Sequence, residues 1–475
     1  KSMFNNLEKV KDFILIFLLF IWLINPSNKF IMLFFLVLLL VLIYLTKKIY
    51  VSLVTIFFLS SFFSVGKTYF VQLLDVKQFP ALIDLYPIGL VTQIQISVSD
   101  VIFVILVAYS IIMFYKKQIK FKKITFTDIS LIVFFIYGII ADIFVSKNLP
   151  LSFFLKKDLF EFVFVYFMIK LVVKDQPLLL KMFLATIISL SLFETFVVLQ
   201  QFVNSSPIGK SLEATFGIES FGGVPDEQTF IFRPVGTFTH TNVLAMFFAV
   251  VSPFILFLIK KTEKYFLKII FFLVIICLVL TLSRIALLAT SIGLFLVIIH
   301  FKYHKSIIQL LTLKKIVIIA FLCLPLFFYA FPRIMQASNF SEEGGGLNLR
   351  IKQANEVVAL IVQSPIFGIG TGMSVVGAIE KFPKGVFASF PSEIHVYPLL
   401  IAVENGLPYL GLFVVFLYLS FKKLINYKSD LSYISIISLS IIIIIGLFQP
   451  FLIRQFLFIL FAFNYDKIVL DSYDY

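Results

Sequence analysis

Charged residues and cysteines are scarce in this chain of 475 residues. Only 14% of the residues are charged, 60% are hydrophobic, and 62 are Phe. A soluble core cannot hide so much apolar surface from water, so the composition excludes a soluble globular protein and indicates a polytopic membrane protein. The two cysteines, Cys277 and Cys323, both lie inside apolar runs. Buried thiols are the ordinary interpretation there, so cysteine usage indicates neither a disulfide nor a metal site.

Basic residues outnumber acidic ones, with 40 Lys and Arg against 26 Asp and Glu. Most of them lie in short clusters between apolar runs, which is the pattern of cytoplasmic loops and not that of a nucleic-acid surface. The densest cluster is KKQIKFKK at Lys116–Lys123, which we expect in the cytoplasm. No nucleic-acid partner is expected, and the lipid bilayer is the predicted environment.

Apolar runs near membrane-spanning length recur along the whole chain. They predict an all-α fold, a polytopic helical membrane protein with about 12–14 transmembrane helices that form a single integral membrane domain over residues 1–475. No small-residue cleavage site follows the first run, so we expect a span there and not a signal peptide. The predicted spans are Phe13–Ile24, Phe30–Leu45, Ile49–Val65, Ile96–Tyr115, Ile124–Val145, Leu151–Val173, Leu178–Val203, Phe238–Ile259, Tyr265–Ser283, Ile285–His300, Ile316–Phe331, Val396–Phe421, Leu431–Phe448 and Phe451–Leu470.

Alternation of these spans from a cytoplasmic N-terminus also places the C-terminus in the cytoplasm. The later basic clusters then fall inside as well, as the positive-inside rule requires. These clusters are Lys260–Lys261, Lys302–Lys315 and Lys422–Lys423. The loops Asn204–Val235 and Arg333–His395 fall outside. The mixed segment Gly66–Gln95 is predicted to be an exterior loop with helices lying at the membrane interface.

The segment 333–395 is long and mostly polar, which in so apolar a chain indicates a functional loop. We interpret it as an exterior catalytic loop. Within it, RIKQANEVVALIVQSP predicts an amphipathic helix that begins near Arg350, stops at Pro365 and packs on the membrane domain. Its apolar stripe is predicted to be Ile351, Ala354, Val358 and Ile361. The run GIGTG at Gly368–Gly372 lacks the spacing of a dinucleotide fingerprint, so we expect tight turns with amides near the ligand.

Three arginines fall on the exterior side. Arg284 marks the turn between two short apolar runs, and an arginine at hydrocarbon depth costs ~2.5–3.5 kcal/mol, so it is either functional or an interfacial anchor. Arg233 precedes a helix start rich in Thr and Asn, which suits an anion site or an anchor. Arg350 lies at a helix start, where the macrodipole disfavours a cation unless it binds a phosphate; a solvated arginine is the alternative.

Histidine supplies the candidate base. His395 closes the polar loop, and a neutral imidazole at a membrane surface suits proton abstraction from a hydroxyl near pH 7. With the three arginines it describes a site that binds pyrophosphate and deprotonates an alcohol. Glu393 and Glu404 lie within one to three turns and are candidates to orient it. His240 is the competing base, although a capping or interfacial histidine is the favoured interpretation of it.

Four runs within roughly Arg233–Gly411 carry a resemblance to a known family: RPVGTFTHTN, LTLSRIALL, Arg350 with SPIFGIGTG, and HVYPLLIAVENG. They resemble the O-antigen ligase and O-antigen polymerase family. The resemblance implies a cofactor-free, metal-independent glycosyltransferase of polysaccharide or lipopolysaccharide synthesis, on the outer face of the bacterial cytoplasmic (inner) membrane. The donor would be a glycan on undecaprenyl pyrophosphate and the acceptor a glycan or glycolipid hydroxyl.

By the same resemblance, Arg284 and Arg350 bind the pyrophosphate and His395 activates the acceptor. Arg233 is added to the pyrophosphate site on its charge and position. One departure concerns the residue four places after the loop arginine, which is commonly leucine in the ligases and is Ala354 here. This departure weakens the case for a ligase relative to a polymerase.

The alternative from another class is a secondary transporter or lipid flippase. It would use Glu194, inside the span Leu178–Val203, and Asp142, near an outer end. The sequence shows neither an inverted repeat nor a pair of broken spans, which disfavours it. A protein oligosaccharyltransferase is a third interpretation, because the sequence does not separate acceptors.

Overall fold

The computed structural model describes residues 2–63, 65–74, 90–117, 124–171, 176–213, 232–300, 346–389, 391, 394–450 and 452–463. Over these residues the all-α polytopic membrane fold is confirmed. Six helices are long and apolar enough to cross a membrane, and four shorter apolar helices accompany them.

Most predicted spans in the described part of the chain coincide with a helix to within a few residues, while Ile316–Phe331 and Cys323 lie outside it. In chain order the elements are α1 (Ser2–Ile24), α2 (Asn28–Thr46), α3 (Ile49–Ser60), β1 (Gly66–Leu74), β2 (Leu90–Ser97), α4 (Val98–Tyr115), α5 (Phe126–Val145), α6 (Leu149–Leu155), α7 (Lys157–Leu171), α8 (Gln176–Asn204), α9 (Thr241–Thr262), α10 (Tyr265–Leu280), α11 (Arg284–His300), α12 (Gly346–Gln363), α13 (Ser374–Lys381), α14 (Val386–Ser389), α15 (Tyr397–Asn405), α16 (Leu407–Tyr427), α17 (Asp430–Gly446) and α18 (Arg454–Phe463).

The centre of the bundle is formed by α8 and α9, whose side chains are mostly buried. Helices α1, α3 and α10 pack on α8, while α10, α11 and α17 pack on α9. Much of the phenylalanine is used here, because aromatic rings fill volume and pair edge to face. One such cluster joins four helices through Phe58, Phe62, Phe183, Phe247 and Phe456.

In the segment predicted to hold interfacial helices, the described residues 66–74 and 90–95 belong to paired strands instead, so the prediction is wrong for them. Strands β1 and β2 pair antiparallel, with Gly66 opposite Ser97 and Leu74 opposite Leu90. The second strand reads LVTQIQIS, in which polar and apolar residues alternate, and this period of two favours a strand over a helix. Residues 75–89 lie outside the described part of the chain.

Two predicted spans are broken. Leu151–Val173 is divided into α6 and α7 at Lys156, and Val396–Phe421 is divided into α15 and α16 at Gly406. Gly406 has φ 88°, and a Cβ there would lie 1.8 Å from the carbonyl oxygen of Ile366, so only glycine fits. Broken spans, whose absence counted against a transporter, therefore do occur in this fold.

Both α9 and α11 run from one end of the bundle to the other. At their C-terminal ends, Lys260, Lys261 and His300 gather around Asp430 at 3.3, 3.7 and 3.1 Å respectively. Since α9 has 22 residues, this basic end lies about 33 Å along the helix from its start. The start of α9 adjoins His240, and the start of α11 is Arg284, so the candidate site occupies the opposite end.

Candidate active site

Five of the predicted site residues form an electrostatic chain at the end of the bundle remote from Asp430. Arg284 lowers the pKa of Arg350 by charge repulsion, in addition to the larger effect of burial. Arg350 and His240 act in the same way on His395, and Arg233 acts on His240. Three arginines and two histidines, taken from distant parts of the sequence, are therefore neighbours in space.

His395 lies in the loop just before α15 and is half-buried. Burial lowers its pKa to about 4, and the positive charge of Arg350 and the neighbouring His240 contribute to that shift. The imidazole is therefore neutral at pH 7, which is the protonation state that a general base requires. Among the described residues, its buried Nδ1 has no hydrogen-bond partner. Glu393, one of the two acids predicted to orient His395, lies outside the described residues.

His240 caps α9, which confirms the capping interpretation. Its Nδ1 accepts a hydrogen bond from the Asn242 amide at 3.0 Å, so Nε2 carries the proton. Burial, and then Arg233, lower the pKa of His240 to about 4. Arg233 is itself buried, and its Nε donates to the Thr281 carbonyl at 2.8 Å. Arg233 thus joins the start of α9 to the end of α10 and is not a surface anchor.

Two polar side chains of α8 hold the segment that leads to His240. The Gln201 Oε1 accepts from the amides of Val235 and Gly236 at 3.1 and 2.9 Å, and its Nε2 donates to the Gly236 carbonyl at 2.9 Å. Glu194 accepts from the amide of Thr237 at 3.0 Å and from its hydroxyl. This glutamate, which a transporter would have used, is engaged in positioning the segment.

The glycine-rich run after α12 forms tight turns, as expected, and its amides donate hydrogen bonds within the protein. The Gly370 amide donates to the Glu404 carbonyl at 2.9 Å, and the Thr371 amide donates to the Asp142 carboxylate at 2.9 Å. The Gly372 amide donates to the Glu404 carboxylate at 3.0 Å. All three amides donate to acceptors of the protein and are not free to bind a ligand, while the expectation that they lie near one stays a prediction.

Two acidic residues therefore accept hydrogen bonds from this turn. Glu404 accepts hydrogen bonds from the Gly372 amide and, at 3.1 Å, from the Ser374 hydroxyl, and these bonds stabilise the turn. Its predicted role of orienting His395 stays a prediction. Asp142 forms a buried ion pair with Lys156 at 2.7 Å. The second acid of the transporter hypothesis is thus also engaged within the protein.

Helix α12 forms where the amphipathic pattern predicted it, with Arg350 in its first turns, but its buried face only partly matches the predicted stripe. The buried residues are Gln353, Val357, Leu360 and Ile361, so Ile361 of the stripe is buried as predicted, while Ile351 and Val358 are 50% and 46% exposed. The physical reason is that α12 is apolar on two faces and packs against α13, α14 and α15. Burial on this side leaves Arg350 beside Arg284 and His395.

A cavity of about 720 Å³ opens next to this cluster. Its wall carries Arg454, Lys157, Asp158 and Glu161, none of which the sequence analysis singled out. Arg454 begins α18, and its charge interacts with Asp158 and Tyr397. An arginine in an apolar run is energetically costly, and this argument singled out Arg284 in the sequence. The same argument applies to Arg454 and would have identified it.

One group of carboxylates in the described residues has the spacing of a cation site. Oxygens of Asp100, Asp158 and Glu161 lie within 4.8 Å of one another. The ammonium of Lys157 lies 2.6 Å from an Asp100 oxygen and supplies positive charge there. The negative charge of these carboxylates is thus partly compensated by the protein itself.

A family model described as O-antigen ligase matches residues 269–414 of the chain. The matched range includes Arg284, Arg350, Glu404 and His395, and it runs from within α10 to within α16. No curated protein matches the chain. The resemblance to the O-antigen ligase family that was stated from the sequence motifs is therefore confirmed over residues 269–414.

Proposed function

We propose that the protein transfers or polymerises glycan from an undecaprenyl-pyrophosphate-linked donor onto a sugar hydroxyl, on the outer face of the bacterial cytoplasmic membrane. The observation that carries the proposal is the electrostatic proximity of Arg284, Arg350 and His395 inside the matched domain. A transporter or flippase is disfavoured, because Glu194 and Asp142 are both engaged in holding site loops.

The arginines bind the leaving group. Two neighbouring guanidinium groups repel each other, and this repulsion contributes to the lowered pKa of Arg350, so an anion between them is favourable. Guanidinium groups match phosphate oxygens with paired hydrogen bonds. As the bond between the anomeric carbon and the phosphate oxygen breaks, the electron pair moves to the pyrophosphate, where Arg284 and Arg350 stabilise the added charge.

His395 accepts the proton that the acceptor hydroxyl loses as the new glycosidic bond forms. In the free protein, burial, Arg350 and His240 keep the pKa of His395 at about 4, which makes it a weak base. A bound pyrophosphate opposes the arginine charge and raises that pKa toward the pH of the reaction. Donor binding therefore prepares the base, and we expect the donor to bind before the acceptor reacts.

The sidedness follows from charge. The basic residues around Asp430 lie at the end of α9 and α11 remote from the site, and the positive-inside rule assigns such an end to the cytoplasm. The site then faces outward, where lipid-linked glycans are assembled into envelope polymers. Both termini are cytoplasmic in this arrangement.

A transfer assay in proteoliposomes tests the proposal. His395→Ala should lower the transfer rate by roughly 10²–10⁴, the usual contribution of a positioned base, while undecaprenyl pyrophosphate still binds because the arginines remain. His240→Ala is the matched control and should lose far less, since its ring caps a helix. If His240→Ala abolishes transfer and His395→Ala does not, the base is misassigned; loss of lipid binding in His395→Ala would make that residue part of pyrophosphate recognition.

The acceptor in this assay separates the three candidate reactions. A second lipid-linked glycan gives a ladder of products with a polymerase. A core-type glycolipid is consumed in one step by a ligase, and a peptide acceptor is used only by an oligosaccharyltransferase. Transfer to none of the three would refute the proposal.

A further inference from the structure

We infer that the cavity bordered by Arg454, Asp158, Glu161 and Tyr397 binds the acceptor glycan, and that this glycan is built from neutral or amino-bearing sugars. The inference rests on the proposed function and specifies its second substrate. We call this space the acceptor cavity. Its volume of about 720 Å³ lies within the range of about 300–1,000 Å³ of small-ligand pockets.

The wall of the acceptor cavity has the chemistry that a sugar ring needs. The carboxylates of Asp158 and Glu161 accept hydrogen bonds, the guanidinium of Arg454 donates them, and the Tyr397 hydroxyl does both. Phe162 and other phenylalanines of the wall offer flat apolar surface for the C–H face of a sugar. Such a mixture of a few polar groups on an apolar lining fixes a ligand's orientation.

The position of the cavity assigns it to the acceptor and not to the donor phosphates. Neither the three predicted pyrophosphate arginines nor the two histidines are among the described residues that line it, but close chain neighbours of both histidines are. Thr239 directly precedes His240, and Tyr397 follows His395 by two residues. The cavity thus adjoins the two segments that carry the histidines, and we place the acceptor hydroxyl on that side and the leaving group at the arginines.

Charge supports the same assignment. Of the acids of the wall, Asp158 and Glu404 face two cations, Lys157 and Arg454, while Glu161 shares a proton with the Asp100 carboxyl group through a hydrogen bond and adds no full charge. Lys157 is already paired with a carboxylate at the start of α4, at 2.6 Å. The remaining negative charge repels a pyrophosphate and also a uronic acid. It tolerates a neutral sugar and attracts an amino-bearing one.

The polar groups of the wall come largely from outside the matched domain. Asp158, Glu161 and Arg454 lie before or after residues 269–414, whereas Arg284, Arg350 and His395 lie within them. The domain therefore carries the proposed donor chemistry, and the flanking helices α7 and α18 carry the proposed choice of acceptor.

Filling the cavity tests the inference. Val375 lines it from α13, so Val375→Trp places bulk inside, and Lys381→Trp on the same helix puts the same bulk on an exposed position. With the acceptor that the wild-type protein uses, Val375→Trp should raise the acceptor KM at least tenfold, and Lys381→Trp should leave it unchanged. The Kd for undecaprenyl pyrophosphate should stay within twofold in both, which also shows that each variant is folded.

A charge variant tests the stated sugar preference. Asp158→Asn should raise the acceptor KM severalfold for an amino-bearing glycan and improve the use of its carboxylated analogue, with undecaprenyl pyrophosphate binding unchanged. Glu380→Gln, an exposed glutamate of α13, is the control and should alter neither.

The outcomes separate this inference from the proposed function. If the wild-type protein transfers glycan and Val375→Trp keeps the acceptor KM, the cavity does not bind the acceptor. If Val375→Trp instead weakens undecaprenyl pyrophosphate binding, the cavity belongs to the donor. Absence of transfer by the wild-type protein would refute the proposed function, and this inference with it.

Discussion

The buried ion pair between Asp142 and Lys156 gives a prediction about stability. The two side chains are 0% and 8% exposed, and the Lys156 Nζ lies 2.7 Å from an Asp142 oxygen. The ammonium also donates to the Gly138 carbonyl and lies 5.6 Å from the centre of the Tyr409 ring. Asp142→Asn removes the negative charge and leaves the lysine in place.

The size of the effect follows from two opposing quantities. At an effective dielectric constant of about 20, two unit charges at this separation attract by about 6 kcal/mol. Burying them costs several kcal/mol for each ion, so the intact pair contributes little net stability. Removing one partner leaves the other uncompensated, which costs about 3–5 kcal/mol. We expect the lower end of that range, because Gly138 and Tyr409 still contact the ammonium.

Unfolding of the purified protein in mixed micelles, followed by circular dichroism, measures this loss. In the double variant Asp142→Asn with Lys156→Met the stranded charge is gone, so most of the lost stability should return. Transfer activity should also survive, because the oxygen that accepts from the Thr371 amide is retained. A double variant no more stable than Asp142→Asn alone would contradict the reasoning, and so would a loss below about 1 kcal/mol in the single variant.

Three further predictions concern the arginine–histidine site. Arg284→Lys should lower the transfer rate by roughly 10²–10³ and weaken undecaprenyl pyrophosphate binding, because an ammonium lacks the paired donors; full activity would indicate an anchor. The kcat/KM for the donor reports the free protein, so it should be insensitive to pH between about 6 and 8 and fall only in acid, as His395 gains a proton. Arg350→Gln removes a positive neighbour, so the pKa of His395 rises and the acid limb of kcat/KM should move to higher pH; a shift to lower pH would contradict this. In intact cells an impermeant thiol reagent should modify Gln363→Cys and not Lys117→Cys, and the reverse result would exclude the proposed topology.

The sequence predicted what depends on local composition. Apolar runs located most helices to within a few residues, an arginine between two such runs singled out Arg284 as a candidate, and the end of the polar loop singled out His395. The same reasoning placed the lysines of α9 at the end opposite the site. Such features are visible because each departs from the surrounding chain and needs no knowledge of its neighbours in space.

Features that depend on contacts between distant segments were missed. The break at Lys156 is stabilised by Asp142 of another helix, and the break at Gly406 by the close approach of Ile366. The buried face of α12 could not be chosen, because its two apolar faces differ only in what packs against them. The strand β2 is different, since its alternation was legible in the sequence and was overlooked.

The close approach at Gly406 and Gly368 affects how a screen of random variants should be interpreted. A Cβ at Gly368 would lie 2.5 Å from backbone atoms of Glu404, and one at Gly406 would meet Ile366 at 1.8 Å. Substitution at either glycine forces α15 away from the turn and displaces the loop that carries His395. A screen scored only by surface polysaccharide would rank both glycines beside His395. The amount of protein in the membrane distinguishes them, because the glycine variants are depleted while His395→Ala accumulates without activity.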